Sequence, residues 1–318
     1  MASSPAVSVV LPVRNGAAFI AAALDSILAQ TWSDLEVVVI EDGSDDQTPG
    51  ILARCASADS RVRVLRNRGS GLVDALNFGL AEARADLIAR MDADDRSRPR
   101  RLAAEIAFLA DNPRVVAVGT QVRHVTGDGT PAGRSAFPCA SEDVRRLMAR
   151  TCCVAHPTVL MRRQPVLDLG GYRKAFGYAE DYDLWLRLLD RGDIANLNMI
   201  GLDYRTHAAM ATIRGAERQA LEAVAARCLA RYRMGGGAEP VIDPVPIDRQ
   251  TLRNLGVDER TIARHVRKAW FGAARTLHRM GGADARRTCL EQAGPLRLPD
   301  GGVADYADYA WRWLKVFV

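Results

Sequence analysis

Ile88-Ala89-Arg90-Met91-Asp92-Ala93-Asp94-Asp95 is the stretch on which the reading of the chain turns. Asp86-Leu87-Ile88-Ala89 opens like a buried strand, and the run closes on three carboxylates within four residues, Asp92, Asp94 and Asp95. Like charges this close repel, and a strand end is only half solvated. The motif alone leaves two readings open. One is a solvated acidic turn ahead of a helix that begins near Pro99. The other is a site for a hard divalent cation that takes oxygen ligands, with phosphates completing its shell.

Working outward, Val7-Ser8-Val9-Val10-Leu11 reads as a central strand stopped by Pro12. Residues Ala17 to Gln30 carry Phe19, Ile20, Ala23, Leu24, Ile27 and Leu28 at helical spacing, with Asn15 as the cap. Leu35 to Ile40 is a second strand ending in Glu41-Asp42-Gly43-Ser44, and Ser44 to Ser57 is a helix. Arg61 to Leu65 is a third strand, Arg66 to Gly71 a basic loop, and Leu72 to Ala83 a helix. Strands alternating with helices indicate a mostly parallel α/β sheet. Ligands of such sheets sit at the carboxyl ends of the strands. Pro12, Glu41-Asp42 and Asp92-Ala93-Asp94 all fall there.

After a helix from Arg100 to Ala110 the pattern changes. Val115 to Val125 reads as one or two strands, Ser141 to Arg150 as a helix and Thr158 to Met161 as a strand after His156-Pro157. Asp181 to Asp190 is amphipathic, with Leu184, Trp185, Leu188 and Leu189 inward. Ile194 to Leu197 and Gly201 to Tyr204 read as short strands. From Thr212 the chain turns helical, and Gly235-Gly236-Gly237 with Pro240 to Pro246 marks a linker. The aromatic end, Tyr306 to Val318, reads either as a helix docked on the protein's own core or as a bilayer-interface segment; Asp305 and Asp308 weaken a cationic face.

Composition narrows the class. The 318 residues are 48% hydrophobic and 25% charged, enough for a sizeable core. A net charge of +5 suits a phosphate-bearing ligand or an anionic surface. No basic-aromatic module marks a nucleic-acid binder. The six cysteines lack metal or redox spacing, so reduced thiols and a cytoplasmic setting are expected. Met1 to Pro5 does not read as a signal peptide, and no stretch reaches the ~18 apolar residues of a membrane span.

In order along the chain stand VSVVLPVRNG, EDGSDD, GLVDALNFGL, IARMDADD, HPTV, GYAEDYDLWLRL and YRTH. Together they resemble the inverting family-2 glycosyltransferases of GT-A fold, over roughly Val7 to His207. The resemblance implies a GT-A catalytic domain over 1–211. Its nucleotide-sugar half is 1–112 and its acceptor half 113–211, and a helical C-terminal extension covers 212–318. It implies a nucleotide-diphosphate sugar donor, UDP favoured, with Mn2+ or Mg2+, and a glycan or lipid-linked acceptor. Peripheral contact with the inner face of the cell membrane is the alternative to a purely cytoplasmic enzyme.

On the same ground Asp42 accepts a hydrogen bond from the base, and Pro12, Val13, Arg14 and Asn15 line that pocket. Two departures stand out: Arg14 where the family often has an aromatic, and Glu41 where it more usually has Asp. A planar guanidinium can stack on a base in its place. Arg66 and Arg68 become diphosphate contacts, with Asp74 and Asn77 one helix turn apart as further donor contacts. Asp94 is the main metal ligand, Asp92 a metal or ribose contact with Ala93 beside it, Asp95 a supporting carboxylate and His207 a metal or diphosphate group. Asp181 is the general base, with Glu180 on the acceptor side. Trp185 is core or an acceptor-side aromatic, and Asp183 compensates the helix dipole. His156 is structural or acceptor-side.

Two other classes compete. A nucleotidyltransferase wants a glycine-rich, Lys/Arg-bearing loop after the first strand, and Pro12-Val13-Arg14-Asn15-Gly16 is too poor in glycine and lysine. A Rossmann dehydrogenase fails for want of G-x-G-x-x-G there. A non-catalytic sugar-nucleotide binder would keep Asp42 and Asp94 but would need no carboxylate at 181.

Overall fold

The computed structural model describes residues 4–207, 215–242, 246–279, 289–292, 296–297 and 303–304. The aromatic segment from Tyr306 to Val318 lies outside them. The first strands are β1 (Val7–Val13), β2 (Leu35–Glu41), β3 (Val62–Arg66) and β4 (Leu87–Arg90). They pair in the order β3-β2-β1-β4, all parallel. All seven residues of β1 are buried, as expected of a strand covered on both faces.

Helices α1 (Ile20–Leu28), α2 (Thr48–Ala58) and α3 (Leu72–Glu82) supply the cover. Alternate residues of β2 divide between the faces. Val37 and Val39 join Ile20, Leu24 and Leu52, whereas Val38 and Ile40 pack with Ala75 of α3. Gly79 lets α3 approach: a Cβ there would lie 2.5 Å from Val10 Cγ1.

Two local expectations change. Pro12 does not stop β1, which runs on to Val13 in register with Glu41. The β1–β4 ladder ends at the pair Val10–Arg90, and Val10 O accepts from Met91 N. Pro12, two residues on, faces that same side, where no ladder bond is left for its missing N–H to make. Asn15 is not the cap of α1, which starts five residues later, after Phe19. Its φ of 54° turns the chain, and its Oδ1 accepts from Asp45 N at 2.9 Å.

The second half of the sheet is mixed, so the parallel expectation holds only for the first. Its strands are β5 (Arg96–Ser97), β6 (Val115–Val125), β7 (Pro131–Arg134), β8 (Leu160–Arg162) and β9 (Asp193–Arg205). The order continues β4-β8-β6-β9-β5, with β7 on β6. β8 is antiparallel to β4 and β6, whereas β6 and β9 run parallel. β9 is one strand of 13 residues rather than two short ones. Register shifts around Thr120, Gln121 and Val122 absorb Asn198 and Met199, which break its apolar pattern. Helices α4 (Arg101–Asp111), α5 (Ser141–Met148), α6 (Arg163–Asp168) and α7 (Glu180–Leu188) complete this part, with a 3₁₀ turn at His156–Thr158.

The chain divides into two compact units. The sheet unit combines the described residues of Met1–Arg205 with those of Ala226–Pro246; the other combines those of Thr206–Ala225 and Ile247–Val318. Helix α8 (Ala216–Met234) contributes residues to both. In the second unit α9 (Arg249–Asn254) starts at a capping box between Asp248 and Thr251. Helix α10 (Glu259–Arg279) buries Ala273, Ala274 and Leu277 with Ala216 and Cys289. A short antiparallel pair joins Leu296–Arg297 and Val303–Ala304. Among the described residues no helix is long and apolar enough to cross a membrane.

Candidate active site

The carboxyl ends of β1, β2 and β4 meet at one rim, where the strand order reverses between β1 and β4. At the end of β2, Asp42 N donates to Val13 O at 2.9 Å. The Asp42 carboxylate accepts from Asn67 Nδ2 at 2.6 Å and from Gly71 N at 3.0 Å. Gly71 has φ 86°, a left-handed conformation that a side chain would strain. Pro12 and Val13 are buried, so they shape the pocket from beneath; Arg14 and Asn15 are exposed at its edge. A Cβ on Gly16 would lie 2.6 Å from Val13 and 3.7 Å from Ala93, so this loop adjoins the acidic stretch.

At the end of β4, ligand oxygens of Asp92, Asp94 and Asp95 lie within 4.8 Å of one another. Asp95 is 2% exposed. Its Oδ1 accepts from Arg205 N at 2.7 Å, and its Oδ2 has no partner among the described residues. Arg205 also reaches Asp94 O at 2.8 Å and lies 4.7 Å over the Phe19 ring. Arg90 forms an ion pair with Asp92. Burial pushes the Asp92 carboxyl up against the pull of Arg90, and Asp94 adds to the rise. Burial, then Asp92 and Asp94, push Asp95 well up. A buried carboxylate oxygen left unpaired beside two more carboxylates is costly. A divalent cation with oxygen ligands removes that cost, so these residues fit a Mn2+ or Mg2+ ion.

The second acidic group opens α7. Asp181 Oδ1 accepts from Tyr182 N at 2.6 Å. Burial pushes Asp181 up to about 6, against Tyr182 N–H and Arg90, with Asp92 adding to the rise. Burial and then Asp181 push Glu180 well up. Glu180 Oε1 lies 3.6 Å from His156 Nδ1, and His156 Nε2 is 2.8 Å from the Tyr172 hydroxyl. Burial and then Arg90 hold His156 well below its usual range, so it stays neutral. That favours the structural reading of His156.

Other sequence expectations resolve differently. Trp185 is fully buried, edge-on to His156 at 5.7 Å, which favours the core reading. Asp183 lies in the first turn of α7, as the dipole reading expects, and it is also buried in an ion-pair network. It is 1% exposed and paired with both Arg173 and Arg187, the latter at 2.8 Å. Asn77 is taken up by Tyr172: its Nδ2 donates to Tyr172 O and its Oδ1 accepts from Tyr172 N, both at 2.8 Å. Asp74 pairs with Lys174 at 2.7 Å. Arg66 and Arg68 are exposed, the latter 4.9 Å over the Phe78 ring. His207 belongs to the second unit, and its metal role rests on the resemblance alone. Sequence reasoning gave no role to Arg90, Asn67 or Arg205. Arg90 had a readable signal, a charge inside an otherwise apolar strand directly ahead of the acids.

With this geometry in place, comparison with known proteins is informative. The family model described as Glycosyl transferase family 2 matches residues 8–170. The chain belongs to that family. This glycosyltransferase is 32% identical over 207 residues to the O-antigen biosynthesis glycosyltransferase WbnJ of Escherichia coli, covering 63% of this chain and 80% of the relative. It is 34% identical over 196 residues to the putative glycosyltransferase EpsE of Bacillus subtilis (strain 168), covering 60% and 69%. Among solved structures it is similar to S. aureus TarS 1-349 in complex with UDP, with a TM-score of 0.57 and 18% identity over 93% of this chain and 95% of that one. It is also similar to the mannosyltransferase PcManGT of Pyrobaculum calidifontis in complex with GDP-Man and Mn2+, with a TM-score of 0.58 and 20% identity over 92% and 84%. At these identities the structures speak to the fold, and it is the glycosyltransferase α/β fold with a curled central sheet.

Proposed function

We propose that this glycosyltransferase moves a sugar from a nucleotide-diphosphate donor, UDP favoured, to a hydroxyl of a glycan or lipid-linked saccharide, inverting the anomeric centre. The observation that carries the reading is the pairing of two acidic groups with different environments. One is the crowded triplet Asp92, Asp94 and Asp95; the other is Asp181, pushed up to about 6 yet still ionised at neutral pH. The triplet would hold Mn2+ or Mg2+, which supplies Lewis acidity that neutralises the departing diphosphate. Asp181 takes the proton of the acceptor hydroxyl as its oxygen attacks the anomeric carbon. The bond to the diphosphate breaks in the same displacement, and the proton ends on Asp181. Asp42, pinned by Asn67 and Gly71, is pre-set as an acceptor for a base N–H. Arg14, exposed at the same edge, is free to stack on that base. Arg66 and Arg68 are proposed as diphosphate contacts.

The named relatives favour polysaccharide synthesis: one relative is described by O-antigen and another by amylovoran biosynthesis. UDP is preferred because one structural neighbour was solved with UDP and another crystal form of it with UDP-GlcNAc; GDP is the runner-up, from the neighbour solved with GDP-Man. The test is calorimetry of UDP with and without Mn2+, followed by a screen of UDP-, GDP- and dTDP-sugars for released nucleotide. Metal-supported UDP binding and release from a UDP-sugar are expected. Equal affinity without metal contradicts the metal assignment, and release from another nucleotide class contradicts the donor assignment. A non-catalytic binder would bind UDP and release nothing from any donor.

A further inference from the structure

Arg90 is the last residue of β4, and its side chain is 4% exposed. Its backbone is fixed on both sides. Its N–H donates to Val159 O at 2.9 Å, and its carbonyl accepts from Arg101 Nη2 at 2.9 Å. Arg101 is itself fully buried and donates to Pro157 O at 2.9 Å. Arg90 therefore leaves the strand from a rigid base.

The guanidinium touches Asp92 Oδ1 through Nη1. Its Nε is buried with no hydrogen-bond partner among the described residues. An unmade bond at a buried donor is costly, more so for a charged group. A charged fork kept in the core with donor capacity to spare points to more than one acceptor. Geometry puts Arg90 beside both acidic groups: it pairs with Asp92, and its N–H donates to Val159 O, directly after the 3₁₀ turn whose His156 Nδ1 lies 3.6 Å from Glu180 Oε1. Its charge accordingly acts on Asp92 and Asp95 and on Glu180 and Asp181. It bears also on His156 and Tyr172, which back Glu180.

We propose that Arg90 is a positioning residue shared by the two acidic groups. It fixes the Asp92 carboxylate directly, and its charge offsets the repulsion between Asp92 and the Glu180–Asp181 pair. The donor-side and acceptor-side carboxylates are thereby set in one frame by a residue that touches neither sugar nor acceptor. This assignment rests on the proposed function for its catalytic meaning. Its physical content, one guanidinium coupled to carboxylates on two separate elements, stands apart from it.

The experiment combines a melting-temperature cycle with a binding measurement. Arg90→Met, Glu180→Gln, Asp92→Asn and the two pairs containing Arg90→Met are melted. The drop caused by Arg90→Met is expected to shrink to roughly half or less in each carboxamide background, as coupled sites require. An undiminished drop beside Glu180→Gln confines Arg90 to Asp92 and overturns the proposal. Arg90→Lys keeps a point charge but loses the fork, and it stands in if Arg90→Met does not fold. It is expected to recover most of the melting temperature while binding UDP in Mn2+ about tenfold more weakly than wild type, the scale of one charge-assisted hydrogen bond. Affinity that returns together with the melting temperature means that Arg90 only fills the core, and overturns the proposal. Absence of Mn2+-supported UDP binding in wild type would instead reject the proposed function, while the melting cycle would still decide the coupling.

Discussion

The carboxylates after β2 and β4 and the carboxylates of α7 are held in different ways. At the strand ends, hydrogen bonds from single donors do the work. Asp42 accepts from Asn67 and Gly71, and Asp95 accepts from Arg205 N. The strand register itself brings the two ends to one rim. Helix α7 is instead fixed by a chain of linked ion pairs. Asp183 binds Arg173 and Arg187; Arg173 reaches Glu239; Glu239 meets Arg233 at 2.9 Å; and Arg233 closes on Asp190 at 2.7 Å. Register positions the strand-end acids, proposed to hold the donor, and a charge network positions α7, proposed to serve the acceptor. Damage to the first should appear in ligand binding, and damage to the second in stability.

The difference can be broken by substitution. Asp94→Asn removes a proposed metal ligand, and Mn2+-supported UDP affinity is expected to fall at least about 100-fold, beyond the loss typical of residues behind the ligands. Calorimetry checks it, and the melting temperature should hardly move. Asp183→Asn is the converse. It leaves Arg173 and Arg187 without their buried carboxylate, at an expected cost of about 3–5 kcal/mol in denaturant unfolding, with UDP affinity of the folded protein kept. Asp42→Asn sets an amide N–H against the Asn67 and Gly71 donors, and UDP affinity should drop about tenfold with little loss of stability. Gly71→Ala comes last: it forces a side chain onto φ 86° and ψ 172°, a region kept almost wholly for glycine, at roughly 1–3 kcal/mol of stability. A stability loss at Asp42 as large as that at Asp183 would erase the distinction.

The same contrast explains what the sequence makes legible. Continuous apolar runs such as Val7–Val13 announce buried parallel strands, and polar residues at their ends announce a site. The first half of the sheet and Asp42, Asp92 and Asp94 could therefore be placed from local pattern. The mixed second half could not, because β8 and β9 pair with strands remote in the chain and β9 carries irregular register. Trp185 and Asp183 share a helix with Asp181, yet helical spacing does not show that α7 is buried nearly all round. Asp183 was therefore read only as a first-turn acid. The partners of Asp183 come from Arg173 and Arg187, and Glu239 extends the network; no spacing rule links 173, 183 and 239. Arg90 was visible but unassigned, since its meaning depends on carboxylates from two elements.

The central claim is that Asp181 takes the proton while the strand-end acids hold the donor. It is tested most directly by nucleotide release from a UDP-sugar across pH, in wild type and in Asp181→Asn. The wild-type rate should fall as pH drops through about 6, because burial raises the Asp181 carboxyl to that value and only its ionised form accepts a proton. Asp181→Asn should lower the rate about 10²- to 10⁴-fold, abolish that acidic limb and leave Mn2+-supported UDP affinity intact. A variant that works at close to the wild-type rate with UDP binding unchanged, or one that keeps the limb near pH 6, would contradict the account.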